Sequence, residues 1–292
     1  MADKPGDRIV RVACIQMEPK IAAVDDNVAV SIERIKQAAE AGAQLIVLPE
    51  LCNTGYVFNN RDEAVELAEP VPSGRTCEAW SAISARLGVH VVAGINERDG
   101  DDLFNSAVVV GPSGYLATYR KTHLWDKEKL IFKPGNLGFP IVDTAVGKIG
   151  TFICYDTWFS ESYRLCAVQG ADIICLPTNW VPIPGQDPSR EAMANILCMA
   201  SAHTNGVFVA AADRVGEERG QPFIGQSLIV NHTGWPIGGP ASYEMEEIIF
   251  ADCNLDDARR HRVWNDHNRV LHDRRTDIYG ETLGANVTPS DY

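Results

Sequence analysis

A formal net charge of −13 on 292 residues argues against binding to nucleic acid or to an anionic membrane surface, because phosphates would be repelled. The 45% hydrophobic content is enough for a sizeable core in one large domain or two small ones. The N-terminus is polar, and no apolar run reaches the roughly 18 residues of a membrane span. We therefore expect a soluble, cytoplasmic protein with neither nucleic acid nor membrane as its partner.

In the first half of the chain, hydrophobic patterns predict strands that alternate with helices. Asp25 or Asp26 is expected to cap the first helix, and Gly42 to end it. The predicted strands are 8–17, 43–49 and 89–95, the predicted helices are 25–41 and 76–87, and a hairpin is predicted over 103–121.

The second half continues this alternation, and the turn 232–235 is expected to lie between its last two strands. A layered α/β fold with a mixed sheet follows, as a single domain over residues 1–280 with a polar tail over 281–292. The predicted strands are 149–154, 172–177, 207–212, 226–231 and 247–254, and the predicted helices are 160–169, 189–204 and 255–263.

Three predicted strands end in residues that could carry chemistry. Glu50, Cys154 and the segment 178–180 each follow a short, mainly apolar run. If these strands are parallel neighbours, their carboxyl ends share one edge, which is where α/β sheets place ligands.

Cys154 is the candidate nucleophile, although the chain has eight cysteines and most are expected to be buried free thiols. It lies where a strand gives way to a helix, and a helix N-terminus stabilises the reactive thiolate. Glu50, partly desolvated at a strand end, could serve as a general base. Lys121 could supply a fixed cation for a thiolate or an oxyanion. Glu128, taken alone, would be assigned to the surface.

Together these segments resemble the nitrilase, or carbon–nitrogen hydrolase, superfamily over about residues 8–280. The resemblance rests on the segments that end at Glu50 and Lys121, on Glu128 before 132–135, and on the run 153–161 around Cys154. It implies a four-layer α-β-β-α sandwich with mixed sheets. It also implies that Cys154 is the nucleophile, Glu50 the general base, Lys121 the oxyanion stabiliser and Glu128 a second glutamate that orients the lysine or substrate.

The resemblance implies hydrolysis of a non-peptide C–N bond without a cofactor or metal, in a homodimer or larger homo-oligomer. Tyr155 and Asp156 after the nucleophile resemble the amidase and carbamoyl-amine branches, so a carboxamide is the favoured substrate. An N-carbamoyl amine and a nitrile remain the alternatives. The backbone N–H of Tyr155 is expected to join the oxyanion hole. The expected pocket residues, whose aromatic content favours an apolar or aromatic acyl group, are Tyr56, Asn105, Trp125, Trp158, Phe159, Asn179 and Trp180.

Other enzyme classes fit the sequence less well. A cysteine phosphatase needs an arginine six residues after the cysteine, where this chain has Ser160. A serine hydrolase would show Gly-x-Ser-x-Gly, which is absent from the sequence. The spacing of His261, His267 and His272 suits no zinc motif. A binding protein that has lost its activity is expected to lack a catalytic position, and all four are present.

Overall fold

The computed structural model describes residues 7–185, 187 and 190–282. Its strands are β1 Ile9–Gln16, β2 Leu45–Val47, β3 His90–Asp99, β4 Asp102–Gly111, β5 Gly114–Arg120, β6 Ile141–Thr144, β7 Gly147–Thr151, β8 Ile173–Pro177, β9 Phe208–Ala212, β10 Glu217–Glu218, β11 Gln221–Pro222, β12 Leu228–Val230, β13 Pro236–Gly238 and β14 Glu247–Asn254. Its α-helices are α1 Val24–Glu40, α2 Arg61–Leu67, α3 Arg75–Leu87, α4 Ser160–Val168, α5 Met193–Asn205, α6 Leu255–His261 and α7 Thr276–Thr282.

Two six-stranded mixed sheets organise these elements. One sheet has the order β14-β1-β2-β3-β4-β5, and the other has the order β13-β12-β9-β8-β7-β6. In each sheet the central strands are parallel, since β2 pairs in parallel with β1 and β3, and β8 with β7 and β9. Among these strands, β2, β8 and β9 are buried along their whole length, which explains why their sequences are wholly apolar.

Three apolar layers hold the sheets and helices together. Val12 and Val92 of the first sheet pack between the sheets against Ile173 and Ala210 of the second. Ile35 of α1 and residues of α3 pack on the outer face of the first sheet, and α4 and α5 cover the outer face of the second. The layers therefore run α-β-β-α, as the family resemblance implies. Within the described residues, no helix is long and apolar enough to cross a membrane.

The first helix departs from its prediction. It begins at Val24, and neither Asp25 nor Asp26 caps it; both lie in its first turn, where carboxylates still interact favourably with the helix dipole. Its buried face includes the polar residues Asn27 and Ser31. They tolerate burial because Asn27 bonds to the backbone of Lys20 and Ser31 accepts a hydrogen bond from Trp80.

The strand pairing near the C-terminus also differs from the prediction. The turn 232–235 joins β12 to the unpredicted strand β13, whereas β14 crosses to the first sheet and pairs with β1 along eight residues. Strand β6 and helix α2 are likewise unpredicted. Helix α5 begins at Met193, and predicted helix position 189 lies outside the described residues. Helix α7 crosses the expected boundary at 280, and residues 283–292 of the predicted tail lie outside the described residues.

Candidate active site

The three strand ends meet, but across the two sheets and not within one. Glu50 follows β2 of the first sheet, whereas Cys154 and residues 178–180 follow β7 and β8 of the second. The backbone N–H of Glu50 donates to the Thr178 carbonyl at 3.4 Å, and Asn179 Nδ2 donates to the Glu50 carbonyl at 2.9 Å. The condition of parallel neighbours thus holds for β7 and β8. It does not hold for β2, because Glu50 reaches the site from the facing sheet.

Cys154 lies beyond its strand. Strand β7 ends at Thr151, and Cys154 is the first residue of a 3₁₀ helix that ends at Trp158. Its φ of +45° lies in the left-handed region, which costs a non-glycine residue free energy and often marks functional sites. The backbone is thus held in a sharp turn at the nucleophile candidate.

Asp156 holds this turn in place. Its buried carboxylate accepts hydrogen bonds from the Ile153 N–H at 3.0 Å and from the Tyr119 hydroxyl at 2.7 Å. It also contacts the backbone N–H and Nδ1 of His123 at 3.0 and 2.7 Å. Asp156 therefore connects the Cys154 turn to the segment that follows Lys121.

Lys121 is fully buried between the two glutamates. Its Nζ donates to Glu50 Oε1 at 2.6 Å and to Glu128 Oε1 at 2.7 Å. Asn105 Nδ2 donates to the same oxygen of Glu50 at 2.6 Å, and the Tyr56 hydroxyl donates to the same oxygen of Glu128 at 2.6 Å. The four groups form one connected network around the lysine ammonium.

Two hydrogen-bonding positions in this network are unused among the described residues. Glu50 Oε2 is buried and has no hydrogen-bond partner there. An ammonium has three donors, and Lys121 has two acceptors. A free carboxylate oxygen can accept a proton, and a free ammonium N–H can stabilise an oxyanion.

The charges of the network control the proton affinities around the cysteine. Burial raises the pKa of Cys154, and the negative charge of Glu50 raises it further, against the opposing effect of Lys121. Burial alone would lower the pKa of Lys121, but the charges of Glu128 and Glu50 outweigh it and raise the pKa. Burial raises the pKa of Glu128 to about 7, although Lys121 acts in the opposite direction. These shifts favour the neutral thiol of Cys154, so that a nearby base is needed to activate it.

A small cavity of about 280 Å³, including its open mouth, lies over Cys154. Its lining is almost entirely aromatic and aliphatic, with one amide side chain. The lining residues are Trp125, Cys154, Tyr155, Trp158, Asn179, Trp180, Val181 and Ile183. A larger and more polar cavity of about 810 Å³ adjoins it, shares Trp125 and Val181 with it, and contains Tyr56 and Glu128.

The structure thus brings together Glu50, Lys121, Glu128 and Cys154. It places four of the expected pocket residues at the cavity, together with the oxyanion-hole candidate Tyr155; the four are Trp125, Trp158, Asn179 and Trp180. Tyr56 lies in the adjoining cavity. Asn105 is completely buried behind Glu50, and Phe159 stacks on His123 outside the Cys154 cavity.

The other seven cysteines fit the expected buried thiol. Each is 0% exposed, whereas Cys154 is 6% exposed and reaches the cavity. Of the three histidines whose spacing suits no zinc motif, His261 packs on His232 and His203. Within the described residues, no three potential metal ligands lie together.

Sequence reasoning missed Asp213, which supports the pocket wall. It directly follows β9, and its Oδ1 accepts hydrogen bonds from the backbone N–H groups of Trp180 and Arg214, both at 2.9 Å. The signal was available, since Asp213 follows an apolar strand in the same way that Glu50 does. No comparable signal marks Glu218, which contacts the Tyr56 segment from a distant hairpin.

Comparisons with known proteins identify the family. Residues 11–263 match the carbon–nitrogen hydrolase family. The chain is 43% identical over 273 residues to a nitrilase from Pyrococcus abyssi (strain GE5 / Orsay), covering 93% of this chain and 99% of that protein. It is 32% identical to an N-carbamoylputrescine amidase from Solanum lycopersicum, with 96% of each chain covered.

Solved structures agree at the level of the fold. A carbon–nitrogen hydrolase from Helicobacter pylori G27 superposes with a TM-score of 0.85 at 26% identity, covering 96% of this chain and 100% of that one. An amidase from Nesterenkonia sp. AN1 gives a TM-score of 0.77 at 24% identity, covering 96% and 99%, which shows a shared fold alone. The family match spans most of the chain, and the described geometry lies within it. The chain is therefore a member of the carbon–nitrogen hydrolase family, within the nitrilase superfamily.

Proposed function

We propose that the protein hydrolyses a carboxamide to a carboxylic acid and ammonia through a thioester on Cys154. The observation that supports this most is the buried Lys121 ammonium between Glu50 and Glu128, below a pocket that Cys154 lines. The Glu50 oxygen that has no partner among the described residues supplies a base, and the third N–H of Lys121 supplies an oxyanion donor.

In the first half of the reaction, Glu50 takes the proton of the Cys154 thiol while the sulfur forms a bond to the amide carbon. The raised pKa of Cys154 requires this concerted base, because few thiolates exist beforehand. The carbonyl oxygen becomes an oxyanion, which Lys121 and the backbone N–H of Tyr155 stabilise. Tyr155 lies in the first turn of the 3₁₀ helix, where backbone N–H groups lack intrahelical acceptors.

The tetrahedral intermediate then collapses. Its C–N bond breaks, the nitrogen takes the proton held by Glu50, and ammonia leaves the acyl group attached to sulfur. A water molecule attacks the thioester after giving a proton to Glu50. The C–S bond breaks, the acid is released, and the proton returns to the sulfur of Cys154.

Pocket composition favours an uncharged, apolar or aromatic acyl group. Trp125, Trp158, Trp180 and Ile183 present apolar surface. Asn179 Oδ1, which has no hydrogen-bond partner in the described part of the chain, can accept a hydrogen bond from the substrate amide. N-carbamoyl amines and nitriles are the alternative substrates, and both appear in the names of relatives. A cytoplasmic location and a homodimer or larger homo-oligomer remain part of the proposal.

The test is ammonia release from a matched panel of carboxamides, N-carbamoyl amines and nitriles. We expect the highest kcat/KM for an apolar carboxamide and no turnover in Cys154→Ala. The control is Cys253→Ala, which removes a fully buried thiol on β14 and is expected to retain activity. Full activity in Cys154→Ala would contradict the role of Cys154, and preference for a nitrile would reassign the substrate.

A further inference from the structure

Glu218 connects a distant hairpin to the loop that carries Tyr56. Its carboxylate is only 4% exposed, and one oxygen accepts hydrogen bonds from the backbone N–H groups of Tyr56 at 2.7 Å and Val57 at 2.5 Å. The neighbouring Arg219 holds the other side of the same loop, by donating to the Val57 carbonyl at 2.8 Å. The short hairpin of β10 and β11 thus binds both the backbone N–H groups and a backbone carbonyl of the Tyr56 loop.

The second oxygen of Glu218 is held by a buried arginine. Arg214, 1% exposed, donates to it at 2.9 Å and also to the Pro19 carbonyl at 2.9 Å. The Arg214 guanidinium lies 4.0 Å from the centre of the Phe223 ring. The rings of Phe223 and Tyr56 form a T-shaped contact, with 6.0 Å between their centroids and 85° between their planes. Tyr56 is therefore fixed through both its backbone and its ring.

Gly55 shows how closely the loop passes Glu218. Its φ is +82°, and a Cβ there would lie 2.7 Å from Glu218 Oε1 and 2.6 Å from the Cα of Ile21. Only glycine fits this approach. The sequence is thus adapted to keep the Tyr56 backbone against the Glu218 carboxylate.

Tyr56 transmits this position to the catalytic network. Its hydroxyl donates to the oxygen of Glu128 that also accepts from Lys121. We propose that Glu218, held by Arg214, is a positioning residue that acts through Tyr56 on the orientation of Glu128 and Lys121. This inference rests on the proposed function, because it assigns Glu128 and Lys121 to catalysis.

Buried ion pairs also stabilise folds, so the test must separate position from stability. A double-mutant cycle with Glu218→Gln and Tyr56→Phe does this by measuring kcat/KM for ammonia release. Glu218→Gln keeps the side-chain shape but puts an amide against Arg214. We expect it to lower kcat/KM roughly 10- to 100-fold in the wild-type background, the loss that a small misplacement causes. In the Tyr56→Phe background the same change should cost less than about twofold, since the hydroxyl that transmits it is gone.

Asp172→Asn is the matched control. Asp172 is also a fully buried carboxylate paired with arginines, Arg8 and Arg259, but it precedes β8 at the end opposite the site. We expect it to lower the melting temperature with unchanged kcat/KM. If Glu218→Gln does not fold, Glu218→Asp replaces it in the cycle, because it keeps the charge for Arg214 and shortens the reach to the Tyr56 N–H.

Two outcomes would overturn the inference. One is an equal loss from the Glu218 change in both backgrounds, which would show that Tyr56 does not transmit it. The other is a folded Glu218 variant with wild-type kcat/KM. Absence of turnover by the unmodified protein across the whole substrate panel would instead count against the proposed function, so the two failures are distinguishable.

Discussion

Arg120 and Lys121 are consecutive buried cations at the end of β5, and their surroundings differ in one decisive respect. Arg120 bonds through Nε to both oxygens of Glu97, at 3.0 and 3.1 Å, and through Nη2 to Asp99 at 2.9 Å. It also lies 3.9 Å from the centre of the Phe104 ring. Both oxygens of Glu97 are thus occupied.

The cluster of Lys121 with Glu50 and Glu128 keeps hydrogen-bonding positions that no described residue uses. Among the described residues, Glu50 Oε2 has no partner and Lys121 has two acceptors for three donors. The comparison teaches that a buried ion pair by itself does not indicate a site. An unused oxygen and an unused donor beside a cavity with a thiol do.

The largest difference in kcat between the two clusters should come from replacing one carboxylate in each. Glu50→Gln removes the base, so we expect kcat to fall by about 10²- to 10⁴-fold, the usual contribution of general-base catalysis. Glu97→Gln should leave kcat nearly unchanged and lower the free energy of unfolding by on the order of 2 kcal/mol, because it weakens a buried charged hydrogen bond. Steady-state kinetics and urea unfolding measure these effects. Comparable kcat losses in both variants would contradict the distinction.

Replacing the cation of each cluster should give a smaller difference in kcat. Lys121→Met removes the oxyanion donor, and we expect a loss of about 10²- to 10³-fold in kcat. Arg120→Lys cannot reproduce the guanidinium fork, so it should lower the melting temperature while kcat stays near that of the wild type. A large kcat loss in a folded Arg120→Lys protein would mean that the two clusters act as one.

The smallest expected effect is the pH dependence of stability. Glu128 has a pKa of about 7 in the folded protein against an ordinary 4.5, so folding takes up a proton between these pH values. The free energy of unfolding should therefore fall as the pH rises from about 4.5 to 7, and Glu128→Gln should remove this part of the slope.

Glu63 provides the control for that measurement. Its pKa is lowered to about 2, first of all by the hydrogen bonds from Arg219. Its contribution to the pH dependence of stability therefore lies below pH 4.5. Glu63→Gln should leave the slope between pH 4.5 and 7 unchanged. Urea unfolding at several pH values measures the stability of both variants. If Glu128→Gln left the slope of stability against pH unaltered, the raised pKa would not belong to Glu128.

The sequence predicts the apolar strands and the residues at their ends well, because burial on both faces leaves a strong hydrophobic pattern. It does not predict which strands share a sheet. Nothing in the sequence shows that Glu50 approaches Cys154 from the facing sheet. Likewise β14 follows the turn 232–235 in sequence but pairs with β1, since long-range pairing leaves no local signal.

The resemblance names the four charged or nucleophilic residues of the site, but their supports come from the three-dimensional structure. Asp156 makes four hydrogen bonds to three residues, Ile153, Tyr119 and His123, and Glu218 holds a loop about 160 residues away in sequence. Such contacts depend on side chains that converge from separate elements. A local pattern cannot reveal them.

The most direct test of the central claim is the mass of the protein during turnover. Wild-type protein is mixed with the best carboxamide, quenched in acid within the first turnovers and analysed by intact mass and peptide mapping. The account predicts an added acyl group on the peptide that contains Cys154, and no such adduct in Cys154→Ala. Ammonia release without any adduct, or an adduct on another cysteine, would contradict it.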